Sequence, residues 1–257
     1  MSNHFNNLKL NLSKLPRDHT LISRLNDIHN DFIYTSKKMI DTSKSESGPI
    51  SLNKFVRGAE KISSTLHPKY QILSAIFYSI NSAEYFLINN YSLFWDNLFS
   101  KMIIDLDEKD FYKKFNYKSF IRKKLLVELL TKHIVNDYNV LRYLADYLNI
   151  NIVIMNERLI YSAKKTYDTS VGTVLLCNKD GAIYANTSIY KNSIYGELET
   201  EFKSKYNTYE HIILMNIAKY TASELNKICE SYELNNPKMK KADVYEGLKE
   251  FMDVVLK

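Results

Sequence analysis

The sequence predicts an α+β fold, with helical patterns early in the chain and strand patterns late. Its 257 residues are 45% hydrophobic, which is sufficient for a sizeable buried core. The chain has only 6 glycines and 4 prolines, a composition that favours helices over tight hairpins. Apolar residues recur mainly at helical spacing before residue 149, and alternating β-branched runs follow.

The first predicted element is an amphipathic helix that begins near Leu21, with Asp18 or Thr20 as its cap. Its apolar stripe consists of Leu21, Leu25, Ile28 and Phe32. The stripe predicts either a partner-binding helix or a helix packed on the main body of the protein. A small, polar linker follows at residues 41–49 and ends in Gly-Pro.

The remaining patterns predict helices first and strands afterwards. Helices are predicted over residues 52–66, 72–87, 125–134 and 139–148. Strands are predicted over residues 149–156, 173–178, 182–190 and 211–218, with a turn at 179–181. Two short helical patterns close the chain. We therefore expect an N-terminal helical extension and linker (1–48), a central domain (49–218) and a helical hairpin (219–257).

Charge and cysteine content restrict the class of protein. The net charge of +6 and the pI of about 9.0 favour an acidic partner such as nucleic acid, although a soluble basic protein has the same balance. Cys177 and Cys229 have no metal-ligand spacing and predict neither a disulfide framework nor a metal site. We expect no cofactor, no signal peptide and no membrane span, hence an intracellular, cytoplasmic protein.

Three segments carry a family resemblance. ILSAIFYSI (72–80) is similar to DGNCLFYSI, VLRYLADYLNINIVIMNE (140–157) to LQALAEYLNVNIIVYN, and TVLLCNKDGAIYANTSI (173–189) to ITLxxxGNHYEPI. The second pair is the closest match. In this order the segments resemble the OTU family of cysteine deubiquitinases, over roughly residues 70–190. The resemblance implies an OTU-like, papain-type domain.

The resembling motifs lack the groups that a cysteine protease needs. Such an enzyme requires a thiolate, a histidine base and a polar group that orients the histidine. The nucleophile position falls on Ala75, the acidic position on Ile72 and the histidine position on Ile183, with Ala185 two residues later. A single engineered alanine would leave the other groups in place. We therefore predict a naturally inactive pseudoenzyme.

Two residues are candidates to replace the missing catalytic groups. Ser74 neighbours the nucleophile position, but successive residues of a helix point about 100° apart. His211 could serve as the base if the last alignment were displaced, but it would still lack a nucleophile. Cys177 lies within a strand pattern and is expected to be a packed core thiol.

The C-terminal segment TASELNKICESYELNNPKMKKADVYEGL (221–248) resembles TVAELKELCKELGLxxSGKKADLIERL, the pattern of the DNA-binding SAP motif. The resemblance implies contact with DNA through Lys238, Lys240 and Lys241. Met239 stands where the family has a loop glycine, and residues 221–257 carry six lysines against seven acidic residues. A hairpin packed on the main domain or on a partner is the alternative. Thr221 and Glu224 predict a capping box for its first helix.

A second basic segment, FYKKFNYKSFIRKK (111–124), interleaves aromatic residues with Lys113, Lys114, Lys118, Arg122, Lys123 and Lys124. Such a pattern can bind single-stranded nucleic acid by stacking. Alternatively the rings are core residues and the cations form a solvated face.

The predicted function is that of a catalytically inactive, OTU-like scaffold with DNA association through its SAP-like tail. An OTU-like domain joined to a SAP-like tail, in a chain rich in residues with AT-rich codons, resembles proteins of large cytoplasmic DNA viruses. That resemblance implies a virion or virus-factory component. Alternatives are a viral assembly protein that binds its partner through the N-terminal stripe, and a reader that binds ubiquitin near Ala75 and Ile183. An active protease is the last alternative.

Overall fold

The computed structural model describes residues 59–62, 68–88, 90–156, 159–163, 172–185, 200, 209–210, 212, 214–234 and 239–253. Several predictions fall outside these residues. They concern the N-terminal helix with its stripe at Leu21, Leu25, Ile28 and Phe32, the linker at 41–49, His211 and Lys238.

A six-stranded mixed sheet lies at the centre of the fold. Its strands are β1 (Glu60–Lys61), β2 (Asn151–Met155), β3 (Leu159–Ser162), β4 (Thr173–Lys179), β5 (Ala182–Ala185) and β6 (Tyr209–Glu210). The spatial order is β1-β5-β4-β2-β3-β6. The β2–β4 and β3–β6 pairs are parallel and the other pairs antiparallel. The α+β class is thus confirmed.

Helices precede and follow the main strands. They are α1 (Gln71–Ile80), α2 (Ser82–Phe86), α3 (Tyr91–Glu108), α4 (Phe111–Lys114), α5 (Lys123–Thr131), α6 (Tyr138–Leu148), α7 (Ala222–Ser231) and α8 (Lys241–Asp253). Short 3-10 turns lie at Pro68–Tyr70, Tyr117–Ser119 and Ile217–Lys219. Within the described part of the chain, no helix has both the length and the apolar character needed to cross a bilayer.

The α6–β2 unit confirms the predicted helix and strand at 139–156. Asp137 caps α6, since its Oδ1 accepts a hydrogen bond of 2.8 Å from the Asn139 amide. Asn149 ends the helix in the left-handed conformation, with φ 53°. All five residues of β2 are buried because helices and neighbouring strands cover the sheet there. The predicted turn is a two-residue hairpin loop in which Asp180 and Gly181 have φ of 52° and 72°.

Helix α1 has no solvent-facing side, and nine of its ten residues are buried. It ends at Asn81, whose backbone is extended, so the predicted helix over 72–87 is two helices. Helix α3 was not predicted, although its buried residues share one face of a helix. Asn90 caps α3 by accepting a bond of 3.0 Å from the Leu93 amide. Cys177 is a buried thiol outside any disulfide, as expected.

The C-terminal hairpin packs on the main body. Its buried residues belong to the same continuous core as the helices around the sheet: Leu225, Cys229, Tyr232, Val244, Leu248 and Met252. Two tyrosine hydroxyls also join it to the rest of the chain. Tyr138 donates to the Met252 carbonyl, and Tyr245 donates to the Met215 carbonyl at 2.9 Å. The capping box of Thr221 and Glu224 is confirmed.

Two predicted elements are wrong where the structure describes them. The helix expected over 52–66 is contradicted at Glu60–Lys61, which form β1 because they pair with the free edge of β5. The strand expected over 211–218 is not formed by its described residues. There, the Met215 amide donates to the Tyr220 hydroxyl and its carbonyl accepts from Tyr245, so side chains satisfy backbone groups that a strand would pair.

Replacing Leu248 with alanine tests the shared core. Leu248 is fully buried, and its truncation is expected to cost about 2–5 kcal/mol of unfolding free energy. Trp95, the only tryptophan, lies buried on α3, so its fluorescence reports on the main body during urea unfolding. The midpoint should fall in L248A and stay nearly unchanged in E250A, whose exposed side chain lies on the same helix. If L248A leaves the urea midpoint of Trp95 fluorescence unchanged, the hairpin unfolds separately from the main body.

Candidate functional site

The four positions that correspond to catalytic residues in the resembling motifs lie in the core. Helix α1 carries Ile72 and Ala75 and packs against β4 and β5, the latter with Ile183 and Ala185. Their exposed fractions are 2%, 0%, 3% and 0%, respectively. These side chains have neither a nucleophile nor a proton acceptor, and solvent does not reach them.

Strand β1 closes the sheet edge beside these positions. It pairs with β5, and the Ile62 amide donates to the Ile183 carbonyl at 2.9 Å. Gln71 Nε2 of α1 donates to the Ile62 carbonyl at 3.1 Å. The Tyr78 hydroxyl donates to Glu60 at 2.5 Å, and burial together with this bond raises the pKa of Tyr78 to about 12. The segment 60–62 is therefore bonded to both α1 and β5.

Ser74, the residue beside the nucleophile position, is buried. Ser74 is itself 7% exposed and lies on the buried helix α1. Ser79, one turn after Ala75, donates its hydroxyl to the Ala75 carbonyl at 2.9 Å. His211 lies outside the described residues.

His133 forms a polar cluster that the sequence analysis missed. Its Nδ1 lies 2.8 Å from the Tyr70 hydroxyl and 3.4 Å from Asp96 Oδ1, and its ring stacks on Phe99 at 4.7 Å. Burial lowers the pKa of His133, and the Asp96 carboxylate partly opposes this effect. Burial also raises the pKa of Tyr70, which disfavours a nucleophilic phenolate. The cluster therefore serves to join α1, α3 and the α5–α6 connection.

A groove of about 630 Å³ lies between α5, the α5–α6 connection, Ile212 with residues 214–216, and α8. Its wall is largely apolar, with contributions from Leu125, Leu129, Ile134, Ile212, Leu214, Tyr245 and Met252. Charged side chains of both signs also line it: Arg122, Lys249, Asp137 and Asp253. No local sequence pattern marks this groove, because its walls are distant along the chain.

The aromatic rings of the basic segment 111–124 pack against one another and the core. Tyr117 is fully buried and donates to Asp146, and Lys114 Nζ lies 5.5 Å and 5.2 Å from the Phe111 and Phe115 ring centroids. Lys123 is engaged in an ion pair with Asp107. The cations that remain exposed are Lys113, Lys114, Lys118, Arg122 and Lys124. The structure thus matches the alternative of core rings with a solvated cationic face.

The described part of the SAP-like loop presents a smaller basic surface. Lys240 is exposed, and Lys241 begins α8 and is half-buried. Met239, in place of the loop glycine, is 54% exposed. Lys238 lies outside the described residues.

Comparisons with protein families, with curated proteins and with solved structures find no match for this chain.

The His133 cluster generates a pH prediction. Because the folded-state pKa lies below the unfolded value near 6.5, the unfolded chain binds more protons as pH falls. The stability contributed by the neutral imidazole is present above about pH 6.5 and lost as pH falls through the folded-state pKa. His133→Asn removes this titration and tolerates the positive φ of 54° at this position.

Urea midpoints measured between pH 7.5 and 5 should therefore fall less steeply in H133N than in the unmodified protein. H133N should also be less stable at pH 7.5, since it loses the stacking on Phe99. Lys132→Gln, at the exposed neighbouring residue, should keep the original slope. Equal slopes in H133N and the unmodified protein would contradict the assignment.

Proposed function

We propose that this protein is a non-catalytic binding or scaffold protein built on an OTU-like α+β domain, a pseudo-deubiquitinase. One observation carries the proposal: the positions matching the protease nucleophile and base are buried aliphatic residues, Ala75 and Ile183. The packing of α1 against β5 supports the OTU-like reading, because the resemblance pairs these two elements in a catalytic site.

The substitutions fit conversion of a reactive site into core. A buried carboxylate or imidazole costs free energy unless it is fully paired, whereas full burial of an isoleucine contributes roughly 1.5–3 kcal/mol. Ile72 and Ile183 therefore stabilise a fold that no longer needs charged groups at these positions.

A scaffold fits this geometry better than a ubiquitin reader at the same place. A reader would need an open groove beside Ala75 and Ile183. Instead β1 pairs with β5, and Gln71 and Tyr78 bond to the segment 60–62. The partner would therefore bind elsewhere on the surface.

A cysteine placed at the nucleophile position tests the proposal. Ala75→Cys should release no ubiquitin from a fluorogenic conjugate, since no histidine lies at position 183 to deprotonate the thiol. Its thiol should also be buried. Mass spectrometry after native thiol labelling should show the same number of adducts for A75C and the unmodified protein, whereas denaturation should reveal one more in A75C. Release of ubiquitin by either protein would overturn the proposal.

Binding of ubiquitin without cleavage requires a separate measurement. Titration of isotope-labelled ubiquitin with the protein should leave the amide shifts of ubiquitin's hydrophobic patch unchanged. Shifts that disappear when Ile183 is replaced by aspartate in a folded variant would instead favour the reader.

DNA association is a second candidate function, favoured by the exposed cations of the basic segment. Each phosphate contact releases counterions, so a cationic surface should give salt-dependent binding. The segment 105–110 opposes it with four acidic residues immediately before the cations.

Charge reversal distinguishes the basic segment from the SAP-like loop. Two double variants are compared: Lys113→Glu with Lys114→Glu, and Lys240→Glu with Lys241→Glu. Binding to a labelled DNA duplex is followed by fluorescence anisotropy at two salt concentrations. The variant that removes phosphate contacts should bind more weakly and show a shallower dependence of affinity on salt. Lys132→Glu is the control, an exposed cation outside both segments. Equal affinity in all variants would exclude both surfaces.

A further inference from the structure

The groove between α5 and α8 brings several exposed apolar side chains together. Six large hydrophobic side chains are exposed in the described part of the chain, and three of them line the groove: Leu125, Ile134 and Ile212, at 47%, 40% and 38%. A concave site in which exposed apolar side chains are rimmed by polar and charged ones has the composition of a docking groove. The volume of about 630 Å³ corresponds to roughly 20 water molecules, enough for several side chains.

The N-terminal sequence has a segment suited to this groove. The stripe of Leu21, Leu25, Ile28 and Phe32 has the i, i+4, i+7 spacing by which amphipathic helices anchor in apolar grooves. We propose that residues 18–35 dock as a helix in the groove of the same chain, with this stripe against Leu125, Ile134 and Ile212. The proposal is independent of whether the central domain is OTU-like.

The length of the apolar stripe and the charges beside it are compatible with docking of residues 18–35 in the groove. The stripe spans 11 helical residue steps, about 16 Å along a helix. In a helix, Arg24 and Asp31 would lie on the same flank of the stripe, one charge of each sign. The groove lining likewise carries both signs, Arg122 and Lys249 together with Asp137 and Asp253. Each charge on the helix flank therefore has residues of opposite sign available at the groove rim.

The connecting chain is long enough to reach the groove. Residues 33–58 lie between the stripe and the first described residue, Ala59, and can extend up to about 85 Å. A compact domain of this length has a radius of gyration of about 18 Å. Strand β1 is at one edge of the sheet, and Ile212 and residues 214–216 of the groove follow β6 at the other edge. The linker can therefore cross the whole domain.

Hydrogen exchange of the full-length protein, followed by mass spectrometry, tests the contact from both sides. Leu25→Asp should speed amide exchange about tenfold or more in peptides from α5 and from residues 244–253, because it releases the cover of the groove. Ser23→Asp, on the opposite face of the same helix, should leave both peptides unchanged. Reciprocally, Leu125→Gln should speed exchange within residues 21–32, whereas Lys124→Gln, exposed on α5 outside the groove, should not.

The outcomes of these exchange measurements distinguish docking within one chain from docking between two copies. Reciprocal effects that persist on dilution support docking within one chain. Effects that vanish on dilution overturn it and place a second copy in the groove. Residues 21–32 that exchange at the rate of an unstructured peptide in the unmodified protein, or no response to L25D and L125Q, also overturn the proposal.

Discussion

The fold depends on burying one helix on every side. Helix α1 packs on β4 and β5, and its Phe77 contacts Phe94 and Trp95 of α3 at ring distances of 5.5 Å and 5.1 Å. Helix α3 in turn lies beside α5, so the helical layer is built outward from α1. Because α1 has no solvent face, groups placed on it lack the access to substrate that catalysis needs. The packing that organises the core therefore also keeps Ile72 and Ala75 away from solvent.

In the proposed pseudoenzyme, aliphatic residues at this position change which parts of the surface can bind a partner. A protease must keep charged groups at the end of a buried helix and accept their desolvation. With Ala75 and Ile183 in these places, that cost is absent and the edge can be sealed by β1. Polar and apolar binding surfaces then lie at the periphery, in the cations of 111–124 and in the α5–α8 groove. Interaction with partners is the kind of function that such a surface supports.

Sequence reasoning succeeded where the signal is local. The α6–β2 unit, the turn at 179–181 and the capping box of Thr221 each depend on a few neighbouring residues. It failed at β1 and at 211–218 because residues distant in sequence determine the backbone conformation there. Strand β5 pairs with β1, and the Tyr245 hydroxyl donates to the Met215 carbonyl. The groove and the His133 cluster could not be predicted from the sequence for the same reason, since each joins segments far apart in sequence. Helix α3 is an exception, because its buried apolar residues have a helical spacing from which the helix could have been predicted.

The C-terminal hairpin links the SAP-like loop to the α5–α8 groove. Helix α8 begins at Lys241, in the SAP-like loop, and supplies Tyr245 and Met252 to the groove wall. Tyr138 also lines the groove and holds the last turn of α8 through the Met252 carbonyl. A ligand at the loop and an occupant of the groove would thus contact the same helix, from its first turn and its last. If one contact shifts α8 so that the affinity at the other changes, the effect is equal in both directions, because coupling between two sites is reciprocal.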